Sequence, residues 1–376
     1  MKNWIKHQIY PRVPWLFYSL SILVTAPIKI WVRLTTLNSE HKSTKLMLEA
    51  GINGWNLIEY KELYASACEY LGAEKVIKTS IDRNKNYYTQ LRENILKIQP
   101  THFVYDPRTG SDNTLQAILE SFRISILLCA YSVTPIVVLT DFSLRIPRIQ
   151  ASIVSCWNGV VVNYLSARLV GPIFPHRRLI GPHLMPMSNI TASKIKAIKE
   201  ASEQNTKYQV LFMGTLYEPR RSTLIWIQNK LNERNIIFEI KGRDFNTERP
   251  SDEEYWTNLC KAKIIITTSE QGSNPELVID WRHINHMIYR YLEATLCGAL
   301  LIAPNVPGVD RFFTPDVHFV AFSDKEDAIE KVEYYVNNKE ACAKVAEQGH
   351  RRALQLIESR AYWMLIDSGL CRQSLT

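Results

Sequence analysis

The chain has 376 residues, more than one hydrophobic core usually supports, so two domains are expected. Hydrophobic residues make up 46% of the chain and charged residues 22%. This is the composition of a folded protein, in which no long segment has to be disordered. The formal net charge of +8 fits phosphate-bearing ligands, an anionic membrane surface or nucleic acid, and by itself does not choose among the three. No nucleic-acid partner is expected, because the basic residues form no recognisable binding motif with aromatic residues. Seven scattered cysteines argue against a disulfide framework and favour the cytoplasm.

Residues 1–40 form a basic and apolar N-terminal segment. Within it, residues 13–28 carry no formal charge and lie between Arg12 and Lys29. This run is shorter than the roughly 20 apolar residues that a spanning helix needs, and Pro14 and Pro27 are expected to break its ends. We therefore expect residues 13–31, with their tryptophans and basic flanks, to lie on a membrane surface. Packing on the N-terminal domain is the alternative, and a span is less favoured.

Residues 41–205 alternate short apolar runs with amphipathic runs, which predicts strands followed by helices in a parallel sheet. Strands are expected at residues 45–49, 101–105 and 135–139, and a further strand within residues 152–162. Helices are expected at residues 57–71 and 115–130. The linker to a second domain is expected around the four prolines of residues 171–187 and the polar helix that follows.

A second series of the same kind occupies residues 206–350, and residues 351–376 form a C-terminal helix and tail. Strands are expected at residues 208–214, 236–241, 262–268 and 299–303. Helices are expected at residues 224–234, 253–261, 285–296, 325–337 and 340–358. The fold class is therefore α/β with parallel sheets, which bind ligands at the carboxyl ends of their strands.

The strongest single pattern is the segment YRYLEATLCGALLIA at residues 289–303, followed by the loop VPGVD at residues 306–310. It resembles the donor-site helix of GT-B glycosyltransferases of the family-4-like kind, in which an acidic residue precedes small residues, a glycine and a hydrophobic strand. Residues 312–350 are similar to the CgeB-like branch of these enzymes. The resemblance covers residues 208 to about 352. It implies two Rossmann-like domains facing each other across a cleft, with the nucleotide-sugar donor held by the C-terminal domain.

This resemblance assigns Glu293 to the ribose diol of the nucleotide and places Arg290 in the donor site. A carboxylate can accept hydrogen bonds from both hydroxyls of the diol. Such a side chain is expected to face the cleft and to support no core. Seven residues before Glu293, the family has a second glutamate where this chain has His286. His286 either contacts the sugar or is an ordinary helix residue, and the stereochemical outcome stays open.

The run FMGTLYEPRR at residues 212–221 supplies a candidate for diphosphate binding. Gly214 ends a predicted strand, and Arg220 or Arg221 stands where related enzymes have a basic residue. Negative charge grows on the diphosphate as the glycosidic bond breaks, so a fixed cation lowers the barrier. The alternative is a solvated arginine pair. A weaker candidate is the loop with Gly272 and Ser273, whose backbone amides would approach a phosphate, although a generic loop has the same composition.

Four residues of the N-terminal domain follow predicted strands and are candidates for the acceptor side. Gly51 and Gly54 follow the first strand, Asp106 follows the second, and Asp141 follows the strand at 135–139. Inverting relatives use an Asp or His in this place as the catalytic base. Asp141 is the candidate base, and its alternative role is that of a turn or N-cap residue.

We therefore expect a hexosyltransferase-like enzyme that moves a sugar from a nucleotide sugar to a glycan or lipid-linked acceptor of the cell envelope, without a cofactor. No D-x-D sequence occurs in the chain, so basic side chains are expected to replace a metal ion. The alternatives are a nucleotide-sugar epimerase of the same fold and a non-catalytic, membrane-associated module. The expected location is the cytoplasm, with contact at the inner face of the membrane.

Overall fold

The computed structural model describes residues 13–35, 44–49, 58–81, 86–107, 114–139, 145–156, 159–163, 179–181, 183–202, 206–243, 250–269 and 287–370. Backbone contacts divide the chain into two units. The N-terminal unit comprises Met1–Pro186 and Tyr362–Thr376, and the C-terminal unit comprises Met187–Ala361. Each unit contains one parallel sheet with helices packed against it.

The sheet of the N-terminal unit has six parallel strands in the order β2-β1-β3-β4-β5-β6. The strands are β1 (Leu46–Glu49), β2 (Val76–Thr79), β3 (His102–Tyr105), β4 (Thr134–Leu139), β5 (Val160–Asn163) and β6 (Leu179–Ile180). The helices are α1 (Val13–Thr35), α2 (Ile58–Leu71), α3 (Tyr87–Ile98), α4 (Thr114–Ala130) and α5 (Arg145–Val154).

The central strands of this sheet are buried along their whole length, as is usual for parallel strands that helices cover on both faces. All six residues of β4 are buried, and so are all four residues of β1 and of β3. The strands predicted at 45–49, 101–105 and 135–139 are confirmed. The strand predicted within 152–162 is wrong in its first half, because residues 152–154 belong to α5 and only Val160–Asn163 are extended.

The sheet of the C-terminal unit has five parallel strands in the order β11-β10-β9-β7-β8. The strands are β7 (Tyr208–Thr215), β8 (Phe238–Arg243), β9 (Ala262–Ile266), β10 (Leu300–Pro304) and β11 (Val320–Phe322). The helices are α6 (Asn189–Ser202), α7 (Arg220–Asn232), α8 (Asp252–Cys260), α9 (Arg290–Leu296), α10 (Lys325–Asn337) and α11 (Lys339–Glu358).

Helix α9 is shorter than the sequence predicts. The prediction starts it at residue 285, but residues 287–289 are not helical and the helix begins at Arg290. Its end agrees with the prediction, because Gly298 follows the C-cap in a left-handed conformation with φ of 75°. A glycine adopts this conformation without steric cost, so the chain turns directly from α9 into β10.

Helix α1 continues through the proline that the sequence analysis takes as its end. It is a single helix of 23 residues with Pro27 inside it. A proline removes one backbone hydrogen bond from a helix interior. Packing of α1 against α4 and α5 supplies the compensating contacts, which the local sequence does not reveal.

At the borders of the two units, two helices belong to a different unit from the one that chain order suggests. Helix α6, which the sequence analysis places before residue 205, packs on α8 in the C-terminal unit. The last helix, α12 (Ala361–Gly369), returns to the N-terminal unit. There the indole Nε1 of Trp363 donates a 2.9 Å hydrogen bond to Ser66 Oγ in α2.

Candidate functional site

The C-terminal sheet has a topological switch point between β7 and β9. From β7 the chain passes to β8 on one side and then crosses to β9 on the other side. In open parallel sheets, ligands bind outside the carboxyl ends of the strands at such a point. Gly214 and Thr215 lie at the carboxyl end of β7, and Thr268 lies just beyond β9. These three residues mark the place where a ligand of this unit is expected.

Arg220 bridges the two strands at the switch point. It is the first residue of α7 and is 8% exposed. Its Nε donates to Thr268 Oγ1 at 3.0 Å, a terminal nitrogen donates to the Thr268 carbonyl at 3.2 Å, and the other donates to the Thr215 carbonyl at 3.2 Å. The guanidinium also stacks on the ring of Tyr217, 4.3 Å from its centroid. The structure therefore fixes a positive charge where the resemblance expects the diphosphate.

Arg221, the neighbouring candidate, is placed differently. Its side chain is half-buried, and its backbone N–H donates to the carbonyl of Tyr217 at 2.9 Å. The start of α7 also carries a carboxylate, because Glu218 Oε2 accepts from the backbone N–H of Ser222 at 3.4 Å. An anionic ligand at this helix N-terminus would have to compete with Glu218. Arg220 is more deeply buried than Arg221, and its guanidinium is bonded at the strand ends.

Arg290 and Glu293 form a buried ion pair one turn apart on α9. Arg290 Nη1 lies 3.0 Å from Glu293 Oε2, and only 10% and 4% of the two side chains are exposed. Tyr255 of α8 joins them, because its hydroxyl donates to Glu293 Oε1 at 2.8 Å and accepts from Arg290. Arg290 also donates to the carbonyl of Met213 in β7, which ties the cluster to the switch point. Glu293 is therefore a bonded interior residue, and the expectation that it supports no core is wrong.

Burial and charge fix the protonation states of this cluster. Burial raises the pKa of Tyr255 well above its ordinary value, so its phenol stays protonated and can donate to Glu293. Burial, the largest single effect, would lower the pKa of Arg290, but the adjacent Glu293 and Tyr255 together outweigh it and the pKa is raised. Arg290 therefore stays charged, and its positive charge is balanced by Glu293.

Gly214 lies directly against this cluster. A Cβ atom at this position would be 3.6 Å from a terminal nitrogen of Arg290 and 3.3 Å from Cζ of Phe212. The second distance is closer than most Cβ contacts, so a side chain would press on the Phe212 ring. The glycine predicted for the donor site is thus brought together with Arg220, Arg290 and Glu293 at one end of the C-terminal sheet.

Tyr255 is the residue of this cluster that the sequence analysis missed. It stands in a short helix with the composition EEYW, where an aromatic residue is most simply a packing residue. Its contact with Glu293 joins residues 38 positions apart. Only the fold brings these residues together.

In the N-terminal unit, Asp106 lies at the carboxyl end of β3 as predicted. It is buried, and its Oδ2 accepts a 2.5 Å hydrogen bond from the hydroxyl of Tyr60. Burial, and then the charge of Asp106, raise the pKa of Tyr362. A second buried acid that the sequence analysis missed, Glu49 at the end of β1, accepts from the hydroxyl of Tyr87 at 2.5 Å.

Half of the predicted site residues lie outside the described residues. They are Gly51, Gly54, Asp141, Gly272, Ser273 and His286. Their roles on the acceptor side, in the phosphate loop and at the sugar stay predictions. Among the residues that the structure does describe, no group of three or more His, Cys, Asp or Glu side chains could hold a metal ion.

Comparison with protein families gives one match, over residues 200–363, to a model described as glycosyl transferase-like. The matched range contains Gly214, Arg220, Arg290 and Glu293. A comparison with curated protein sequences gives no match.

Solved structures share the fold over most of the chain. A structure of HepE from Anabaena, in complex with UDP and glucose, is 10% identical with a TM-score of 0.54, and the match covers 85% of this chain and 98% of that one. Sucrose-phosphate synthase from Thermosynechococcus elongatus is 10% identical with a TM-score of 0.55 over 85% of this chain and 97% of that one. Together with the two parallel sheets, these structures show that the chain has the GT-B fold, and its residues 200–363 resemble the glycosyl transferase-like family.

Proposed function

We propose that this chain transfers a sugar from a nucleotide-sugar donor, held at the switch point of the C-terminal sheet, to a glycan or lipid-linked acceptor. The observation that carries the proposal is the fixed guanidinium of Arg220, bonded to the ends of both β7 and β9. A nucleotide diphosphate is the leaving group whose growing negative charge such a cation stabilises.

The chemistry follows from the polarity of the bond that breaks. The bond between the anomeric carbon and the terminal phosphate oxygen breaks with oxocarbenium-like character, and its electron pair stays on the diphosphate. The oxygen of an acceptor hydroxyl forms the new bond to the anomeric carbon, and its proton passes to a catalytic base, the role predicted for Asp141. Arg220 stabilises the departing diphosphate. Because a carboxylate offers about four acceptor positions, Glu293 can hold the ribose diol while Arg290 and Tyr255 orient it. In this proposal, arginine charge replaces a metal ion and no cofactor takes part.

UDP is the first nucleotide to test, since solved HepE structures contain UDP and UDP-glucose. A thermal-shift screen with UDP, GDP, ADP and CMP measures which nucleotide stabilises the folded protein, because a ligand that binds only the native state raises its apparent stability. We expect one nucleotide to raise the melting temperature of wild type and to have a weaker effect on Arg220→Ala. If none of the four stabilises the protein at millimolar concentration, the donor proposal is wrong.

A second measurement separates transfer from the alternatives. The donors for this measurement are nucleotide sugars that contain the nucleotide found to stabilise the protein. A transferase releases free nucleotide from them faster when an acceptor is present. An epimerase converts the donor without acceptor and without nucleotide release. A non-catalytic module binds nucleotide but leaves the donor unchanged. We expect acceptor-dependent release.

We also propose that the acceptor is lipid-linked and that residues 13–31 bring the enzyme to the inner face of the membrane. Helix α1 supports this proposal. Its segment Trp15–Val32 has the length and mean hydropathy, 1.5, of a membrane helix. A core helix or a signal sequence can have the same length and hydropathy. The exposure of the side chains along α1 is therefore the evidence that distinguishes these cases.

A further inference from the structure

Helix α1 has two faces of opposite character. Only three residues of the segment Trp15–Val32 are buried, and they fall on one side of the helix: Ser21, Thr25 and Val32. Large apolar side chains occupy the other side, and each is at least 39% exposed: Leu16, Leu20, Leu23, Val24, Ile30 and Trp31. At about 100° per residue, these six side chains fall within a stripe about 120° wide.

The buried face is fixed to the N-terminal unit by polar contacts. Ser21 Oγ donates to the carbonyl of Ile153 at 2.9 Å and lies 3.2 Å from both Ser125 Oγ and Cys156 Sγ. Thr25 Oγ1 donates to the Ser21 carbonyl at 2.6 Å and lies 3.7 Å from the same sulfur. These contacts join α1 to α4 and α5. Lifting α1 away would leave buried hydroxyl groups without their hydrogen bonds, which costs free energy.

The exposed face has the chemistry of a membrane interface. Trp31 lies on the stripe, and Trp15, at the other end of the segment, is also exposed but lies about 60° outside the edge of the stripe. Tryptophan is enriched where the headgroups meet the acyl chains. The stripe itself contains only apolar residues, whereas exposed apolar side chains on a soluble protein are usually scattered singly. The formal net charge of +8 favours an anionic surface over a neutral one.

We infer that α1 is an in-plane membrane anchor: it lies parallel to an anionic phospholipid bilayer, sinks its apolar stripe into the headgroup region and keeps its opposite face docked on α4 and α5. This inference rests on the membrane contact proposed above and decides its geometry. A helix that spans the bilayer would have to leave its dock, because the Ser21 face is already bonded to protein. The lipid-facing stripe belongs to the same unit that carries the proposed acceptor side.

Depth measurements distinguish an in-plane helix from a spanning one. Leu16, Leu23 and Ile30 lie on the same stripe, and the first and last are about 21 Å apart along the axis. A spin label is attached at each position in turn through an unnatural amino acid, because the chain contains seven cysteines. Power-saturation measurements in vesicles of phosphatidylcholine and phosphatidylglycerol then give the depth of each label. We expect the three depths to agree, at roughly 5 to 10 Å into the boundary between the headgroups and the acyl chains.

Two results of this measurement would overturn the inference. Depths that change steadily from Leu16 to Ile30 across the bilayer would show a spanning helix. Labels that stay as accessible to a water-soluble relaxant with vesicles as without them would show that α1 does not enter the membrane. In either case the nucleotide screen described above is unaffected, because it measures the C-terminal unit, so failure of the anchor and failure of the donor proposal are separate outcomes.

A matched pair of variants tests the stripe itself. Leu23→Gln combined with Ile30→Gln removes two exposed apolar side chains from α1, and Ile237→Gln removes one of similar exposure, 64%, from the C-terminal unit. We expect the double variant to bind these vesicles at least about tenfold more weakly in a flotation assay, with unchanged melting temperature and nucleotide affinity. Ile237→Gln should float like wild type. Equal losses in both variants would overturn the inference.

A second copy of the chain is the alternative binding partner for the apolar stripe of α1. Light scattering in lipid-free buffer measures the molar mass of wild type and of the double variant. A dimer of wild type that the double variant cannot form, with flotation unchanged, would replace the membrane by a protein partner. We expect the two proteins to have the same mass.

Discussion

Arg290, Glu293 and Tyr255 balance one another's charge and hydrogen bonds inside the C-terminal unit. Because the carboxylate of Glu293 is both an interior ion-pair partner and the proposed ribose ligand, its substitution has two separate effects. Removing one member of a buried ion pair leaves an uncompensated charge, whereas loss of a ligand contact weakens binding without affecting the fold. The two effects have to be measured separately.

For Glu293→Ala we expect a loss of about 3 to 5 kcal/mol in the free energy of unfolding, since the buried charge of Arg290 loses its partner. Nucleotide affinity should fall roughly tenfold to hundredfold, because a charge-assisted hydrogen bond to the ribose is lost. Urea unfolding measures the first effect and calorimetric titration with the stabilising nucleotide measures the second.

Leu231→Ala is the control for this variant. Leu231 is fully buried in the core of the same unit. Its truncation should lower the free energy of unfolding by about 2 to 5 kcal/mol, a loss similar to that of Glu293→Ala. It lies at the opposite end of α7 from Arg220, roughly 16 Å along the helix. Its nucleotide affinity should equal that of wild type at a temperature where both are folded. If both variants bind nucleotide equally well, Glu293 is a structural residue.

Arg220 and Arg221 offer a comparison of two adjacent cations. We expect Arg220→Ala to lower kcat roughly 100-fold with a smaller change in nucleotide affinity, because its contact strengthens as charge develops on the diphosphate. Arg221→Ala should change kcat by less than about threefold, since the Arg221 side chain is only half-buried, whereas that of Arg220 is buried. Steady-state kinetics with saturating donor provides the comparison. Equal losses in the two variants would move the proposed role away from Arg220.

At this scale the sequence identifies residue types but not their contacts. Gly214, Arg220 and Glu293 could be selected because each has a characteristic position relative to a predicted strand or helix. Tyr255 could not, because a tyrosine in a short amphipathic helix has no distinguishing neighbours along the chain. The interior position of Glu293 was also hidden, since ion pairing across one helical turn with Arg290 gives no pattern that differs from a surface pair.

Among the elements, buried parallel strands could be predicted well and helix ends less well. The strands β4 and β10 are almost wholly apolar and fully buried, as expected where both faces of a parallel sheet are covered. The C-terminal end of α1 and the start of α9 were predicted wrongly. Helix α1 passes Pro27 because tertiary packing supports it, and α9 starts late although its predicted first residues have an acceptable helical composition.

Helix α11 makes a pH-dependent contribution to the C-terminal unit through His350. Its Nδ1 lies 3.2 Å from the carbonyl of Thr295 in α9. Burial, and then the charge of Lys199, lower the pKa of His350 below its ordinary value of 6.5. As the pH falls below 6.5, the unfolded chain binds a proton that the folded protein resists, so this contribution to stability is present above pH 6.5 and is lost at lower pH.

We therefore expect His350→Asn to reduce the loss of stability between pH 7 and pH 5, because asparagine can still donate to Thr295 but does not titrate. Urea midpoints at several pH values, for wild type and variant, measure the difference. His318 should keep part of the pH dependence, since burial and the charge of Arg352 lower its pKa as well. Identical slopes for both proteins would show that His350 titrates alike in the folded and unfolded states.

On the scale of the whole molecule, each unit is built from segments that sequence order alone does not assign. The two α/β series could be predicted from alternating apolar and amphipathic runs, but α6 packs with the second unit and α12 with the first. Such assignments depend on contacts between distant segments, as between Trp363 and Ser66. The proposed roles of Asp141, His286 and the loop with Gly272 depend on residues outside the described ranges, so these parts of the site stay predictions.

The return of the chain to the N-terminal unit gives a prediction that separates the two units. Trp363 is 1% exposed, and its indole packs against Tyr70 and donates to Ser66. Trp363→Ala should therefore cost about 3 to 5 kcal/mol through the cavity it leaves, and hydrogen exchange should rise in peptides of the N-terminal unit. Met364→Ala, on the same helix but 54% exposed, should change the free energy of unfolding by less than about 0.5 kcal/mol. Because the proposed donor site lies within the other unit, nucleotide affinity should be the same in both variants as in wild type. A loss of affinity in Trp363→Ala, with exchange raised in residues 206–361 as well, would show that the two units unfold together.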